Sequence, residues 1–480
     1  MTGNYIAAVY DFRSKQDYIY RTNRVQEIMG ASELIAGAYE GALKDYKAID
    51  RRWDRKIKLE DYLKDEFKLS DFETSGDQGT VLYEGGGNLV LLFRDKEALL
   101  AFNNYFSLWL IDNAPGLTPI CGSAEIDVNG KFRPEMKKVF DDLSRYKRLA
   151  PPLLSDTVLP ITQIDRRISQ PVVYKDKGTQ KSLSAESVAK LKVYRARIKP
   201  GENSEAVLSC NFDDMTPDKG TESLLAILHA DGNGMGEHVK AHISKTMLFE
   251  EGVNEQRKLT WEINEVLVTS PMKAIVDYLT ELQQTAPENK KPAMRRIISS
   301  GDDVTIVCNA RHALKIAGIY FANIGEGYSA CMGIAIFHAH APFAAMYDIA
   351  EQCCESGKKR MKKDGVASAC YLDAHFCQGA ITGGLEQMRK QIGAARTCMP
   401  YCINCELGRF KAIGNDLIKI KRSNVKALRD AAFRSQADFE MELMRIKSNC
   451  AGLDIKEKDR AMLCDVCTFY DLWFGGEANG

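Results

Sequence analysis

The same order of elements runs twice along this chain, and any fold that accommodates one copy must accommodate both. Tyr5–Asp11 is an apolar run of strand length, followed by a helical pattern through Ile19, Val25, Ile28, Met29 and Leu34. A polar, charged stretch near 44–77 reads as an insertion. Thr80–Tyr83, the turn around Gly85, Gly86 and Gly87, and Asn88–Phe93 predict strand, tight turn, strand. A helix near 95–111, a strand near 117–127 and a helix near 134–148 complete the first copy. The second begins with the apolar run Leu224–Ala230 and a glycine-rich turn, Asp231-Gly232-Asn233-Gly234-Met235-Gly236, leading into a helix. An insertion near 245–291 precedes a second hairpin, 296–300 and 304–308 around Gly301-Asp302-Asp303. A helix near 311–323, a strand near 328–338 and a helix near 342–362 follow. Both copies read β-α-β-β-α-β, the ferredoxin-like order. The chain is therefore expected to be α+β, with a first domain over 1–150, a connecting region of irregular strands over 151–221, a second domain over 222–385 and a helical region over 386–480.

In a ferredoxin-like sheet the first and third strands are central neighbours, so the end of the first lies beside the tip of the hairpin. That predicts Asp231 close to Asp302 and Asp303, since neighbouring strands are about 5 Å apart. Carboxylates gathered so closely stay ionised only with a compensating cation. Mg2+ or Mn2+ suits one or two carboxylates plus water and phosphate oxygens, and it would offset charge developing during phosphoryl chemistry. Gly232 lets the backbone approach the ion or a phosphate. A helix beginning near Gly234 aims its N–H groups at phosphates. The expected site is thus Asp231, Gly232, Asp302 and Asp303 for metal, with Asn233, Gly234, Ser300 and Gly301 around a nucleoside triphosphate.

Other chemistry is absent from the sequence. Gly232–Gly236 does not match a dinucleotide-binding GxGxxG, and no GxxxxGK[ST] occurs. His238 and His242 stand four apart, but Val239 follows the first where a zinc protease HExxH has glutamate, and both read as polar helix-face residues. Lys+Arg and Asp+Glu both number 65, so there is no basic excess to hold a nucleic-acid backbone by bulk charge. A small nucleotide substrate suits that balance better than a primer to be extended. No run approaches the roughly 20 apolar residues of a membrane span. The N-terminal residues lack a basic segment followed by a long apolar one. With 14 cysteines and no such signal, reduced thiols and a cytoplasmic location are expected.

These motifs resemble the large, polymerase-like subunit of type III CRISPR effector complexes and its stand-alone relatives, and more distantly the GGDEF nucleotide cyclases. The second copy carries the resemblance through Asp231–Gly236, then Ser299, Ser300, Gly301, Asp302 and Asp303 where the family has GGDD, then Met332–Ile336, then a helix after Pro342 ending at Gly357, Lys358 and Lys359. The first copy is similar to the family's non-catalytic palm through Asp11, Gly30–Ile35 and Gly85–Asn88. The resemblance implies two palm domains binding ATP, the second of which joins a ribose hydroxyl to an α-phosphate and makes a cyclic or oligomeric nucleotide signal in anti-phage defence. Lys358 or Lys359 would reach the triphosphate. The hairpin at Gly86, Gly87 and Asn88, with no carboxylate beyond Glu84, would lack metal and hold the acceptor nucleotide through backbone N–H groups. Partners would be CRISPR-type ribonucleoprotein subunits or a second copy of the chain. Ser300 replaces the first glycine of GGDD, and Asn233 stands where some relatives have a second Asp. Those departures keep a second reading, in which the palms bind nucleotide or serve as scaffold without turnover.

Two CxxC pairs, Cys402/Cys405 and Cys464/Cys467, have the spacing of zinc ligands, with Cys398 as a substitute. The gap between the pairs exceeds the usual one of about 15–20 residues, and a helical hairpin is expected to close it. They predict one structural Zn2+ fastening the start of the C-terminal helical region to its end.

Overall fold

The computed structural model describes residues 4–49, 58–149, 161–176, 180–197, 212–216, 223–286, 292–377, 384–392, 397–450 and 452–475. Strands and helices are mixed throughout, so the fold is α+β. By contacts the chain forms two compact units. One takes residues 1–204, 234–265 and 300–302; the other takes 205–233, 266–299 and 303–480.

The first unit opens with β1 (Asn4–Arg13), α1 (Lys15–Tyr20), α2 (Val25–Asp45), α3 (Leu59–Tyr62), α4 (Leu69–Ser75), β2 (Gly79–Gly85), β3 (Asn88–Phe93), α5 (Lys96–Asn113), β4 (Thr118–Asp127) and α6 (Phe132–Leu149). Its sheet has the order β2-β3-β1-β4 and is antiparallel throughout, so the first and third strands are central neighbours. The helical pattern read through Ile19 to Leu34 is broken into α1 and α2 by the polar run Arg21–Arg24, where Arg21 turns away to bind Glu186.

What reads as an irregular connection is, over its described residues, a folded element. β5 (Ile164–Asp165), β6 (Gln170–Lys175) and β7 (Ser182–Ser184) form a small sheet, and α7 (Ala185–Arg197) packs on α2. The two helices approach so closely at Gly30 that a Cβ there would lie 1.9 Å from the Lys190 carbonyl oxygen. Charged groups are buried in this contact. Lys190 bonds Glu186 at 2.6 Å, Ser187 bonds Glu27 at 2.9 Å, and Arg167 bridges Glu27 and Asp165. Each buried charge has an opposite partner, the condition under which such groups are tolerated.

The second stretch comprises β8 (Leu224–Gly232), α8 (Met235–His242), α9 (Phe249–Asn264), α10 (Ser270–Thr285), β9 (Met294–Ser300), β10 (Asp303–Asn309), α11 (Ala313–Ala322), β11 (Ala330–His338) and α12 (Phe343–Asp364). The chain continues through β12 (Tyr371–Phe376), α13 (Leu385–Ile392), β13 (Tyr401–Cys402), α14 (Leu407–Ile418), α15 (Arg422–Arg434), α16 (Gln436–Asn449) and α17 (Arg460–Trp473). The sheet order is β13-β12-β11-β8-β10-β9. Its four strands β8 to β11 repeat the neighbour relations of β1 to β4, and β12 and β13 extend the edge, with β12 parallel to β11.

One placement does not follow the chain order. After β8, α9 packs into the core of the first sheet. Phe249, Val253 and Leu259 are buried with Ala7, Val9, Leu82 and Val90. Arg257 donates to the carbonyls of Leu82 at 2.6 Å, Val81 at 2.6 Å and Asp65 at 2.8 Å, and Asn254 accepts from the Phe67 N–H at 2.7 Å. The insertion helices α3 and α4 are thereby fastened to the same core.

Candidate functional site

β8 is buried from Leu225 to Ala230 and apolar there except for His229, as befits a central strand, and its last two residues are Asp231 and Gly232. The ladder with β10 sets Asp303 directly opposite Asp231 and Thr305 opposite His229. Directly opposed residues share a face, with Cβ atoms about 5 Å apart, so the two carboxylates expected from sequence to meet are cross-strand partners. Asp302 precedes them in the turn, where Gly301 has φ 69. Gly301 thus takes a left-handed conformation open to glycine at no steric cost. The Ser300 side chain lies outside the described residues.

On the other side of β8, Cys331 of β11 pairs with Asp231, and Ala330 with Gly232. α12 lies close over this face because Gly333 has no side chain. A Cβ there would stand 1.9 Å from the Ala350 carbonyl oxygen. That approach delivers Lys358, whose ammonium bonds Asp231 and stands 3.9 Å from Glu355. Burial pulls the Lys358 pKa down, but the hydrogen bond and charge of Asp231 outweigh it, and the pKa stands above its ordinary value. Lys359 is exposed, and its charge acts on Glu386. Of the two lysines, then, Lys358 is the one at Asp231. Sequence could not separate the neighbours; the phase of α12, set by Gly357 and Cys354 against the sheet, does so.

One tier below, the buried His229 ring shares a hydrogen bond of 3.0 Å with the Thr305 hydroxyl and packs edge-on against Tyr347. Burial and the nearby Lys358 charge push its pKa down to about 4, so it is neutral near pH 7. No sequence pattern marks His229 out beyond its position two residues before Asp231.

Asn233 was expected beside the nucleotide. Its side chain instead turns inward and donates to the Ser329 hydroxyl at 3.1 Å and the Ala369 carbonyl at 3.4 Å, while its backbone N–H bonds Ser329. It fastens the loop that carries Gly232. Gly234, with φ 66, turns the chain into α8, and space beside it is open.

The first sheet has the corresponding hairpin. Gly85 pairs with Asn88, and Gly86 (φ 58) and Gly87 (φ 73) form the two-residue turn. Both positive angles suit the primed turn of a tight hairpin. One step beyond the last β1–β3 pair, Tyr10 with Leu89, the register sets Asp11 against Asn88. Asp11 carries two lysines, Lys15 at 2.7 Å and Lys147. Burial raises its pKa, but the two ammonium groups outweigh this and hold it below the ordinary carboxylate range. Lys15 also donates to the Gly87 carbonyl at 3.0 Å.

Among the described residues, no group of three or more His, Cys, Asp or Glu side chains is gathered as a metal-holding cluster. Cys402 is buried with Cys331, Cys354 and Tyr371 and lies near Cys405, which is exposed; both are free thiols. Cys464 and Cys467 are buried on α17, with Arg429 and Asp430 near Cys467. Each pair is close within itself, and the pairs belong to separate elements. No described helix is long and apolar enough to cross a membrane.

No protein-family model matches this chain, and no curated protein matches it in sequence. Solved structures do. A Csm1–Csm4 cassette in complex with cA3 aligns at TM-score 0.56 and 12% identity, over 99% of this chain and 70% of that one. The cassette in complex with pppApA aligns at 0.55 and 12%, over 98% and 70%. Csm1 of T. onnurineus aligns at 0.51 and 12%, over 99% and 66%. The chain therefore resembles, in fold, the large subunit of type III CRISPR effectors.

Proposed function

We propose that this chain is a metal-dependent nucleotidyltransferase that converts ATP, or another nucleoside triphosphate, into a cyclic or oligomeric nucleotide. The observation that carries the reading is the direct opposition of Asp231 and Asp303 at the end of the central strands, with Lys358 bonded to Asp231. Support comes from the fold of Csm1, solved in a cassette with cA3, cA4 and one ATP. In this reading both sheets are ferredoxin-like palms, the second catalytic.

Asp231 and Asp303, with Asp302 and the Gly232 carbonyl, are the oxygen donors that would hold Mg2+ or Mn2+. The donor set fits a hard cation: Asp231 and Asp303 are cross-strand partners, and one or two carboxylates suffice when water and phosphate oxygens complete the shell. A divalent ion there supplies positive charge against the phosphates. Lys358 adds its own charge at the same place. In the transfer, a ribose hydroxyl attacks an α-phosphorus, a new P–O bond forms, the bond to the β-phosphate oxygen breaks, pyrophosphate leaves, and the hydroxyl proton passes to solvent. The first hairpin, rich in cations around Asp11, would hold the triphosphate of the acceptor without a metal. Assembly with CRISPR-type ribonucleoprotein subunits, or with a second copy, belongs to the same proposal.

Incubating the purified protein with each labelled triphosphate plus Mg2+ or Mn2+ tests this: a new nucleotide product and released pyrophosphate are expected with ATP. Binding without turnover would favour the scaffold reading, which the engagement of Asp231 by Lys358 also suits. A structural zinc on Cys402, Cys405, Cys464 and Cys467 is proposed separately. About one zinc per chain by elemental analysis, lost in Cys402→Ser/Cys405→Ser, would establish it.

A further inference from the structure

Asp231 is not waiting with an open carboxylate. Its side chain is 26% exposed and that of Lys358 20%, and the two are bonded to each other. The ammonium therefore stands where a cation held by Asp231 would have to act. Lys358 is fixed there by packing as well as charge: α12 is seated against β11 at Gly333, and Gly357 lies against Cys331 and Tyr371. Only the end of the side chain is free to move. Glu355, 3.9 Å from the same ammonium, offers a second resting place on the same helix.

We infer that Lys358 is a built-in counter-ion of Asp231 that a divalent cation must displace, and that a triphosphate assists by drawing the ammonium onto its own oxygens. This rests on the site proposed above and adds an order of events to it. Metal alone meets a carboxylate already neutralised and a repelling positive charge. Metal arriving with a triphosphate meets Asp231 released. The two ligands then bind cooperatively, because one residue is exchanged between them, and such coupling is reciprocal. Two like charges about 4 Å apart near a protein surface repel by several kcal/mol, so removing the ammonium should have a large effect on metal affinity.

The test is nucleotide-free Mn2+ binding to the full chain, followed by electron paramagnetic resonance. Lys358→Met is expected to bind Mn2+ about ten-fold or more tightly than wild type. Lys358→Arg, which keeps the charge, is expected to stay near wild type, and circular dichroism of each variant checks that the fold is kept. In the absence of metal, Lys358→Met should bind an ATP analogue more weakly. Equal Mn2+ affinity in wild type and Lys358→Met, with binding abolished by Asp231→Asn in both, would overturn the counter-ion role and leave the proposed metal site standing. Mn2+ binding to Lys358→Met that survives Asp231→Asn would overturn both.

Discussion

The two hairpin ends are built on one plan and carry opposite charge. β1 and β8 each carry an aspartate near their C-terminal end, Asp11 and Asp231. Each is flanked by a strand with a glycine two tiers in, Gly122 and Gly333, paired with Val9 and His229. At both glycines a helix comes too close for a side chain, α6 at Leu143 and α12 at Ala350 and Cys354. Fifteen positions after the first residue of each helix stands a lysine, Lys147 or Lys358, and each lysine bonds its aspartate. The differences gather around the tip. Asn88 and Gly87 occupy the places of Asp303 and Asp302, and Lys15 adds a second ammonium to Asp11. Asp11 bonds two lysines in the first copy; Asp231 bonds one in the second and has Asp303 directly across the ladder. The backbone plan tolerates either sign, so a few tip residues decide whether such an end attracts an anion or a cation.

The largest effect that would break this comparison lies at the second tip. Asp302→Ala/Asp303→Ala should lower product formation by about a thousand-fold, the scale on which loss of a preorganised electrostatic group is felt, with an unchanged melting profile. Asn88→Ala at the first tip should cost far less. Equal losses would mean that the tips do the same work. Next come the glycines. Gly122→Val and Gly333→Val each push a side chain into helix backbone and should destabilise by about 2–3 kcal/mol, measured by denaturant unfolding. A neutral result at either would deny the shared plan. A third experiment alters the sign. In the Asp302→Ala/Asp303→Ala background, adding Lys15→Met/Asn88→Asp should create Mn2+ uptake that the parent lacks, read by paramagnetic resonance.

The smallest effect concerns a group with no counterpart. Glu84 precedes the first turn, and the matching place in the second hairpin is Ser299. Burial, then Glu40 and Glu60, push the Glu84 pKa up to about 7. The folded state therefore favours its protonated form. Its contribution to stability is full below the ordinary carboxylate range and is lost as pH rises through about 7. Glu84→Gln should remove that part of the decline between about pH 5 and 7 in thermal melts.

Much of this was legible because period and turn chemistry are local. The glycine hairpins, β8 and the meeting of Asp231 with Asp303 follow from strand-length apolar runs and from the neighbour rule of the β-α-β-β-α-β order. What escaped depends on partners distant in sequence. The period of α9 fixes which face is buried but not which sheet covers it, so its place on the first core was invisible. The segment around Asp165 and Lys190 looked irregular because its buried side chains are charged, and their partners Glu27 and Arg21 lie far upstream. Asn233 reads as a site residue by position, yet its amide faces inward to Ser329 and Ala369.

The placement of α9 also limits how such a molecule can be taken apart. A gene cut between the repeats would yield one fragment with the hydrophobic seat of Phe249, Val253 and Leu259 laid bare, and another with those side chains on a helix that has lost its bed. Because a helix from beyond Asp231 completes the first core, neither half of the chain expressed alone would have its apolar face covered.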